Sequence, residues 1–214
     1  MGHGHGPPEA IRHRVVGTDS IEGRERYELL TSLVVPRPIG WVSTYGADGI
    51  SNLAPFSFFS AISATPMLVS LSIGTRRGVA KDSLRNILDV HDFCVNVVTE
   101  SQLEAMNQTA ADLPPDVDEF THADLPVAEA ESVRAPYVAN CPAVFECTLF
   151  KVLDLEGAGR LIVGEVKAVR LDPTLSFVEG STLVECGDLR PVGRLGGSLY
   201  TQLGEIRVLR RPGS

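Results

Sequence analysis

The residues of this 214-residue chain whose types and spacing could do chemistry lie between Pro36 and Ser83. Pro36-Arg37-Pro38-Ile39-Gly40-Trp41-Val42-Ser43-Thr44 opens the stretch, Asn52-Leu53-Ala54-Pro55-Phe56-Ser57-Phe58-Phe59 continues it, and Lys81-Asp82-Ser83 closes it. Hydroxyl, amide and aromatic groups crowd into segments that otherwise read as strand, and a basic group then opens the first clear helical pattern. A helix start presents unpaired backbone N–H groups and the positive end of the helix dipole, which together bind anions. Lys81 beside the Ser83 hydroxyl would complete such a cradle. Asn52, Ser57, Ser43 and Thr44 can add hydrogen bonds, and backbone groups along Leu53, Ala54, Pro55 and Phe56 can meet the polar edges of a ring. The ligand chemistry is a flat aromatic system with an anionic tail. Each part also has a plainer reading. Lys-Asp-Ser alone is most often a capped, solvated helix start, and Phe56, Phe58 and Phe59 are ordinary core residues. Arg37, Arg76 and Arg77 are weaker phosphate contacts, each alone a surface charge. Trp41, the sole Trp, is either core or a neighbour of the ring.

The elements that must position these groups are mostly short strands. Ile39 to Tyr45 is rich in β-formers and runs into Gly46-Ala47-Asp48-Gly49, a turn signal, with Ile50 to Ala54 as the returning strand. Pro55 has no N–H to give a ladder, so the pairing is expected to break there. Phe56 to Ala64 reads as extended, and Met67 to Ile73 alternates two faces. Lys81 to Val90 reads as a helix with Leu84, Ile87 and Leu88 on one side, capped by Asp82 or Ser83. Phe93 to Val98 is a strand, and Ser101 to Ala110 a second helix. Asp112 to Arg134 lacks periodicity, which is long for a structureless loop in a compact domain and suggests a functional segment. Ala143 to Leu153 and Leu161 to Leu171 are strong strands, and Leu203 to Leu209 reads as a last one. Residues 9–35 form a charged lead-in with a short helical turn or strand edge at Tyr27-Glu28-Leu29-Leu30. No strand–helix–strand alternation is present, so the pattern predicts an antiparallel, mainly β barrel with helical insertions.

Composition narrows the function. A chain of this length suits one domain. With a net charge of -8 it lacks the basic clusters that nucleic acid demands. No apolar run reaches the length of a membrane helix, and Met1 to Pro8 has no apolar core of a secretory signal. That N-terminus reads as a floppy tail, with little reason for His3 and His5 to hold a metal. Cys94, Cys141, Cys147 and Cys186 show no C-x-x-C spacing and read as buried free thiols in a reducing cytoplasm. There is no G-x-G-x-x-G, Walker A loop, G-x-S-x-G or H-E-x-x-H, so Rossmann, hydrolase and metalloprotease readings find no support.

The chain resembles the flavin reductase-like family, the FMN-binding split barrels that include flavoredoxins and reductase components of two-component monooxygenases. The resemblance runs through Pro36–Thr44, Asn52–Phe59, Lys81–Ser83, Asn86-Ile87, Phe93, Asn96, Met106-Asn107, Asp118-Glu119-Phe120, Glu146-Cys147 and Arg194-Leu195-Gly196-Gly197 with Tyr200. It covers roughly residues 25–212, leaving 1–24 as a flexible tail. It implies a Greek-key-like antiparallel split β-barrel that binds FMN non-covalently. The implied activity is hydride transfer from NADH or NADPH to flavin N5, with no catalytic acid or base from the protein. In the family the Lys81–Ser83 segment contacts the FMN phosphate, often with Thr where Ser83 stands. The resemblance also implies a homodimer with the flavin at the subunit interface, completed by the Asp112–Arg134 segment and the turn ending at Tyr200. A partner monooxygenase or another electron acceptor follows from it. His122 would lie in a lid near the flavin. An electron-transfer flavoprotein reduced by a partner, a flavin binder without turnover such as a carrier or sensor, and a protein that uses bound FMN or a related cofactor for substrate oxidation remain the rival readings.

Overall fold

Why the chain forms a barrel follows from which strands are joined by short turns. The computed structural model describes residues 10–76, 78–114 and 117–213, without the side chain of Arg76. In chain order the elements are α1 (Gly23–Leu33), β1 (Arg37–Pro38), β2 (Gly40–Tyr45), β3 (Ser51–Phe56), β4 (Phe59–Ala64), β5 (Met67–Ile73), β6 (Thr75–Arg76), β7 (Val79–Ala80) and α2 (Asp82–Val90). There follow β8 (Asp92–Val97), α3 (Leu103–Gln108), α4 (Glu119–His122), β9 (Val127–Glu129), β10 (Pro136–Val138), β11 (Ala143–Asp154), β12 (Arg160–Leu171), α5 (Cys186–Leu189), β13 (Gly193–Arg194) and β14 (Tyr200–Thr201).

Seven strands form one sheet in the order β3-β2-β8-β11-β12-β5-β4, with every pair antiparallel. Its two edge strands, β3 and β4, are consecutive in sequence, and Ser57-Phe58 alone joins them. The sheet must therefore curl until its edges approach. Ser72 N–H donates to the Phe58 carbonyl at 2.9 Å, extending the β4–β5 ladder into the link between the edge strands. Among the described residues β3 and β4 do not pair with each other, so the barrel stays split along that seam.

The period-2 alternation of strands sends successive side chains to opposite faces. Inside, Val42, Phe56, Val69, Leu71, Ile73, Phe93, Val95, Cys147 and Ile162 pack together with Leu84 and Ile87 of α2. Outside, Trp41 and Leu53 join Ile39, Val98, Met106, Phe120, Val138 and Val192 in a second core. Fully burying such a side chain contributes roughly 1.5–3 kcal/mol, while a net hydrogen bond contributes about 1 kcal/mol. The apolar alternation therefore sets the register, and the buried polar groups must fit it. They do: Asn96 donates to Trp41 O at 2.8 Å and to Ser43 Oγ at 3.0 Å, and accepts from Val138 N. At one point packing requires a glycine. A Cβ on Gly164 would lie 2.3 Å from Phe93 Cζ, so the Phe93 ring fills the barrel only because position 164 has no side chain.

Several expectations are corrected. Pairing does not break at Pro55, because Trp41 faces Pro55 and Gly40 faces Phe56 in register. On an edge strand only alternate residues point their N–H at the neighbour. Leu53 N–H points away, to Glu119 Oε2 at 3.1 Å, so the nitrogen of Pro55, two residues on, also faces outward and costs the ladder nothing. The lead-in holds an 11-residue helix whose start is closed by a capping box between Glu22 and Glu25. Asp112 to Arg134 contains α4, N-capped by Asp118, and β9, which pairs with β10. Leu203 to Leu209 is not a strand. Among the described residues no strand pairs with it, and Leu203, Ile206, Val208 and Leu209 stay exposed. Lys81, not Asp82 or Ser83, is the N-cap residue of α2. Cys94 and Cys147 are buried thiols, but Cys141 is partly buried and Cys186 exposed. The readings on His3, His5 and Arg77 lie outside the described residues. No described helix is long and apolar enough to cross a membrane.

Candidate functional site

The start of α2 brings Lys81, Asp82 and Ser83 together at a helix end with no side-chain cap. Lys81 at the N-cap is extended (φ -64°, ψ 152°) and makes no side-chain capping bond, so the first-turn N–H groups receive no acceptor from it. Asp82, the next residue, is drawn sideways into an ion pair with Arg85 at 2.6 Å. The Ser83 hydroxyl is buried against β3, where it accepts from Asn52 Nδ2 at 3.3 Å. Lys81 Nζ stands 5.2 Å from the centre of the Phe56 ring.

This end opens into a cleft of about 430 Å³ between β3, α2 and the residues after α3. Asn52, Ala54, Pro55, Lys81, Asp82 and Ser83, all expected to bind ligand, line it together. Sequence reasoning missed the other walls: Val79, Ala80, Arg85, Thr109, Ala110, Ala111, Leu113 and Glu119. Ala54, Pro55, Ala80, Ala110 and Ala111 are small and largely apolar, which suits a flat ring. Glu119 carried a signal, since it belongs to the Asp118-Glu119-Phe120 match. The alanines carried none.

The remaining expected residues lie elsewhere. Arg37, Ser57 and Phe58 line a different, apolar cleft of about 400 Å³ beneath α1, with Leu30, Val34 and Phe59. Arg37 is corrected from a phosphate contact to a structural residue. It is 6% exposed. Its Nη1 donates to Thr31 O at 2.5 Å and Val34 O at 2.8 Å, its Nη2 to Leu195 O at 3.0 Å, and its Nε to Ser57 Oγ at 3.5 Å. The guanidinium thus ties the end of α1 to the β13–β14 turn. Trp41 resolves to core: it is fully buried and donates from Nε1 to Thr109 Oγ1 at 2.8 Å. Ser43 and Thr44 are fully buried too, engaged by Pro136 O and Asn96, and by Asn86. Leu53 and Phe56 point into the two cores. Tyr200 sits apart from the cleft, its hydroxyl on Asn107 Oδ1 at 3.1 Å and its ring under Arg194. His122 is exposed at the end of α4.

Charge in the main cleft is mixed. The Glu119 carboxyl is held above the usual carboxylate range by burial, with smaller contributions from Asp82 and Asp118, while the Leu53 N–H pulls it down. Among the described residues no group of three or more His, Cys, Asp and Glu could hold a metal.

Residues 32–182 match the model of the family described as Flavin reductase like domain. The chain is 38% identical over 189 residues to an uncharacterized protein of Aquifex aeolicus, covering 87% of this chain and 95% of that one. Its structure is similar to that of nitrilotriacetate monooxygenase component B from Bacillus cereus, with a TM-score of 0.87 and 30% identity over 94% of this chain and all of that one. It is also similar to 2-nitrobenzoate 2-nitroreductase from Pseudomonas fluorescens, with a TM-score of 0.83 and 27% identity over 94% of this chain and 97% of that one.

Proposed function

Since the chain belongs to the flavin reductase-like family, we propose that it holds FMN non-covalently at the start of α2 and reduces it with NADH or NADPH. The observation that carries this is the cleft itself. Lys81, the Ser83 hydroxyl and the uncapped first turn of α2 stand at one end, and the small residues Ala54, Pro55, Ala80, Ala110 and Ala111 form the wall beyond. The donor set fits a phosphate: one cation, one hydroxyl and backbone N–H groups, acting as hydrogen-bonding partners of the kind that hold phosphates at helix starts. Asn52, fixed by Ser83, adds a polar group between phosphate and ring.

When bound, the isoalloxazine supplies the hydride acceptor, and the difficult chemistry is its own. The residues here bind, orient and exclude water. Lys81 and Ser83 anchor the anionic tail, and β3 stands as a rigid edge because β2 pairs along its whole length. Nothing in the cleft is asked to act as acid or base.

A homodimer belongs to the same proposal. A second copy would add cover to the ligand's ring, since good sites bury roughly 70–90% of their ligand. The face beneath α1 exposes Tyr27, Leu30, Leu33, Val34 and Phe58, which suits contact with a second copy. The likeness to a monooxygenase component supports a partner oxygenase or other acceptor for the electrons, and the buried free thiols Cys94 and Cys147 support a cytoplasmic setting.

The test is steady-state oxidation of NADH and of NADPH by purified protein supplied with FMN, alongside the visible spectrum of the complex. The proposal expects oxidised-flavin bands and flavin-dependent turnover with one nucleotide at least. Bound FMN without turnover would leave an electron-transfer or carrier protein. No FMN binding at micromolar concentrations would overturn the reading at its base.

A further inference from the structure

We propose that Trp41 is a positioning residue for the ligand: through Thr109 it ties the wall after α3 to the wall made by β3, and so sets how closely the main cleft fits a flat ring. The inference rests on the flavin reading above and deepens it. Trp41 has no exposed surface, so it cannot touch a ligand and can act only through its neighbours. Two of those neighbours line the cleft. Pro55 lies directly opposite Trp41 on β3, and opposed residues of an antiparallel pair share a face of the sheet. Thr109, 2% exposed, accepts from the indole Nε1 at 2.8 Å. Both Pro55 and Thr109 are walls of the cleft of about 430 Å³.

The bonds within the segment after α3 shape it without fixing where it stands. Thr109 closes α3 with its N–H on Ala105 O at 3.2 Å and its hydroxyl on Met106 O at 2.8 Å. Ala110 N–H donates to Asn107 O at 3.2 Å, and Ala111 N–H to Gln108 O at 3.1 Å. The indole bond instead joins residues 68 apart in sequence and carries the segment to the barrel. Met106 also packs α3 into the second core, but apolar burial is non-directional, whereas a hydrogen bond specifies a distance and an angle. The barrel end of the tie is itself held. Trp41 O accepts from Asn96 Nδ2 at 2.8 Å, and β2 is paired on both sides, with β3 and β8. Losing either partner of the indole bond frees Ala110 and Ala111 to shift. A wall displaced by a fraction of an ångström gives up much of its contact with a planar ring.

The experiment is a double-mutant cycle on flavin affinity. Trp41→Phe keeps an aromatic ring and removes the N–H, and Thr109→Val keeps the branched shape and removes the hydroxyl. Native protein, both single variants and the double variant are titrated with FMN and with riboflavin, following flavin fluorescence, and are unfolded in denaturant. Each single variant is expected to weaken FMN by about three- to tenfold. The double variant should be weaker by no more than about twofold again, because both changes remove the same bond. Riboflavin should weaken by the same factor as FMN, since the proposed wall meets the ring and not the phosphate. A lower unfolding midpoint with native affinities in the folded protein would show a merely structural role and overturn the inference. So would losses that multiply in the double variant, or a loss for FMN alone. If Trp41→Phe does not fold, Thr109→Val decides: equal losses for both flavins support the inference, and native affinities overturn it. Native protein that binds neither flavin overturns the flavin reading and this inference with it, whereas native binding untouched by the variants overturns this inference alone.

Discussion

Two clefts, both lined by residues of the Pro36–Ser83 stretch, use a cation in opposite ways. Beneath α1, Arg37 is buried and gives its N–H groups to three backbone carbonyls and a hydroxyl. At the start of α2, Lys81 stands exposed at an N-cap whose first-turn amides receive no side-chain acceptor. A basic residue beside a cleft serves the fold when its donors hold the backbone, as those of Arg37 do. In the first cleft the fold has consumed them, and the apolar walls serve packing and contact. In the second, Lys81 stands at the surface beside a helix start without a side-chain cap.

The largest expected effect breaks the comparison at its structural side. Arg37→Ala strands the carbonyls of Thr31, Val34 and Leu195, and should lower unfolding free energy by about 3 kcal/mol or more, since each unsatisfied buried acceptor costs about 1–3 kcal/mol. FMN affinity of the folded protein should move by less than about twofold. Denaturant unfolding and FMN titration of the same sample check both. A large affinity loss with unchanged stability would return Arg37 to the ligand.

The barrel behind both clefts can be stressed independently. Gly164→Ala should cost about 1–3 kcal/mol through overpacking, because the new methyl would meet Phe93 Cζ at 2.3 Å. Thermal or denaturant unfolding would show it, and an unchanged midpoint would mean that the ring yields.

These residues also show what the sequence made legible. The strand pattern from Ile39 to Ile73 and the pair of long strands after Ala143 could be read, because period-2 alternation is local. So could the core of the site, since Asn52, Ala54, Pro55, Lys81, Asp82 and Ser83 do meet. The fate of Ser43 and Thr44 could not. They sit among site-like residues but are taken by Asn96 and Asn86, partners distant in sequence. Ala110 and Ala111 were invisible because a small residue signals nothing until a wall needs to be flat. Pro55 misled, because the rule against proline in a ladder holds for both sides of a central strand and only one side of an edge. Leu203 to Leu209 misled in reverse: its apolar spacing suits a strand, but among the described residues no strand pairs with it.

Acid titration should separate the two clefts more gently. The Glu119 carboxyl is raised by burial, so the folded state favours its protonated form. The associated stability is fully present below the ordinary value of 4.5 and is lost as pH rises through the folded value. Glu119→Gln should therefore be slightly more stable than native protein at neutral pH, with the difference closing as pH falls below that window. Arg37→Ala leaves the Glu119 carboxyl in place, so its stability difference should not follow the same curve. Unfolding midpoints across the acid range would decide it, and a difference independent of pH would remove the carboxyl from the account.

The smallest effect concerns the thiols behind the clefts. Burial pushes Cys94 and Cys147 well above the ordinary thiol range, whereas Cys186 is exposed. A thiol reagent should label Cys186 quickly in the native protein and all four cysteines only after unfolding. Rapid native labelling of Cys94 or Cys147 would show that the barrel opens readily.

The central claim is that the start of α2 holds a phosphate, and one measurement reaches it directly: the affinities of FMN and riboflavin for native protein and for Lys81→Ala. Losing a charged hydrogen bond costs about 1.5–3 kcal/mol, so FMN should weaken by roughly ten- to a hundredfold. Riboflavin has no phosphate and should keep its affinity to within about twofold. Equal losses for both ligands, or none for FMN, would contradict the assignment of Lys81 to the phosphate and with it the placement of the flavin in this cleft.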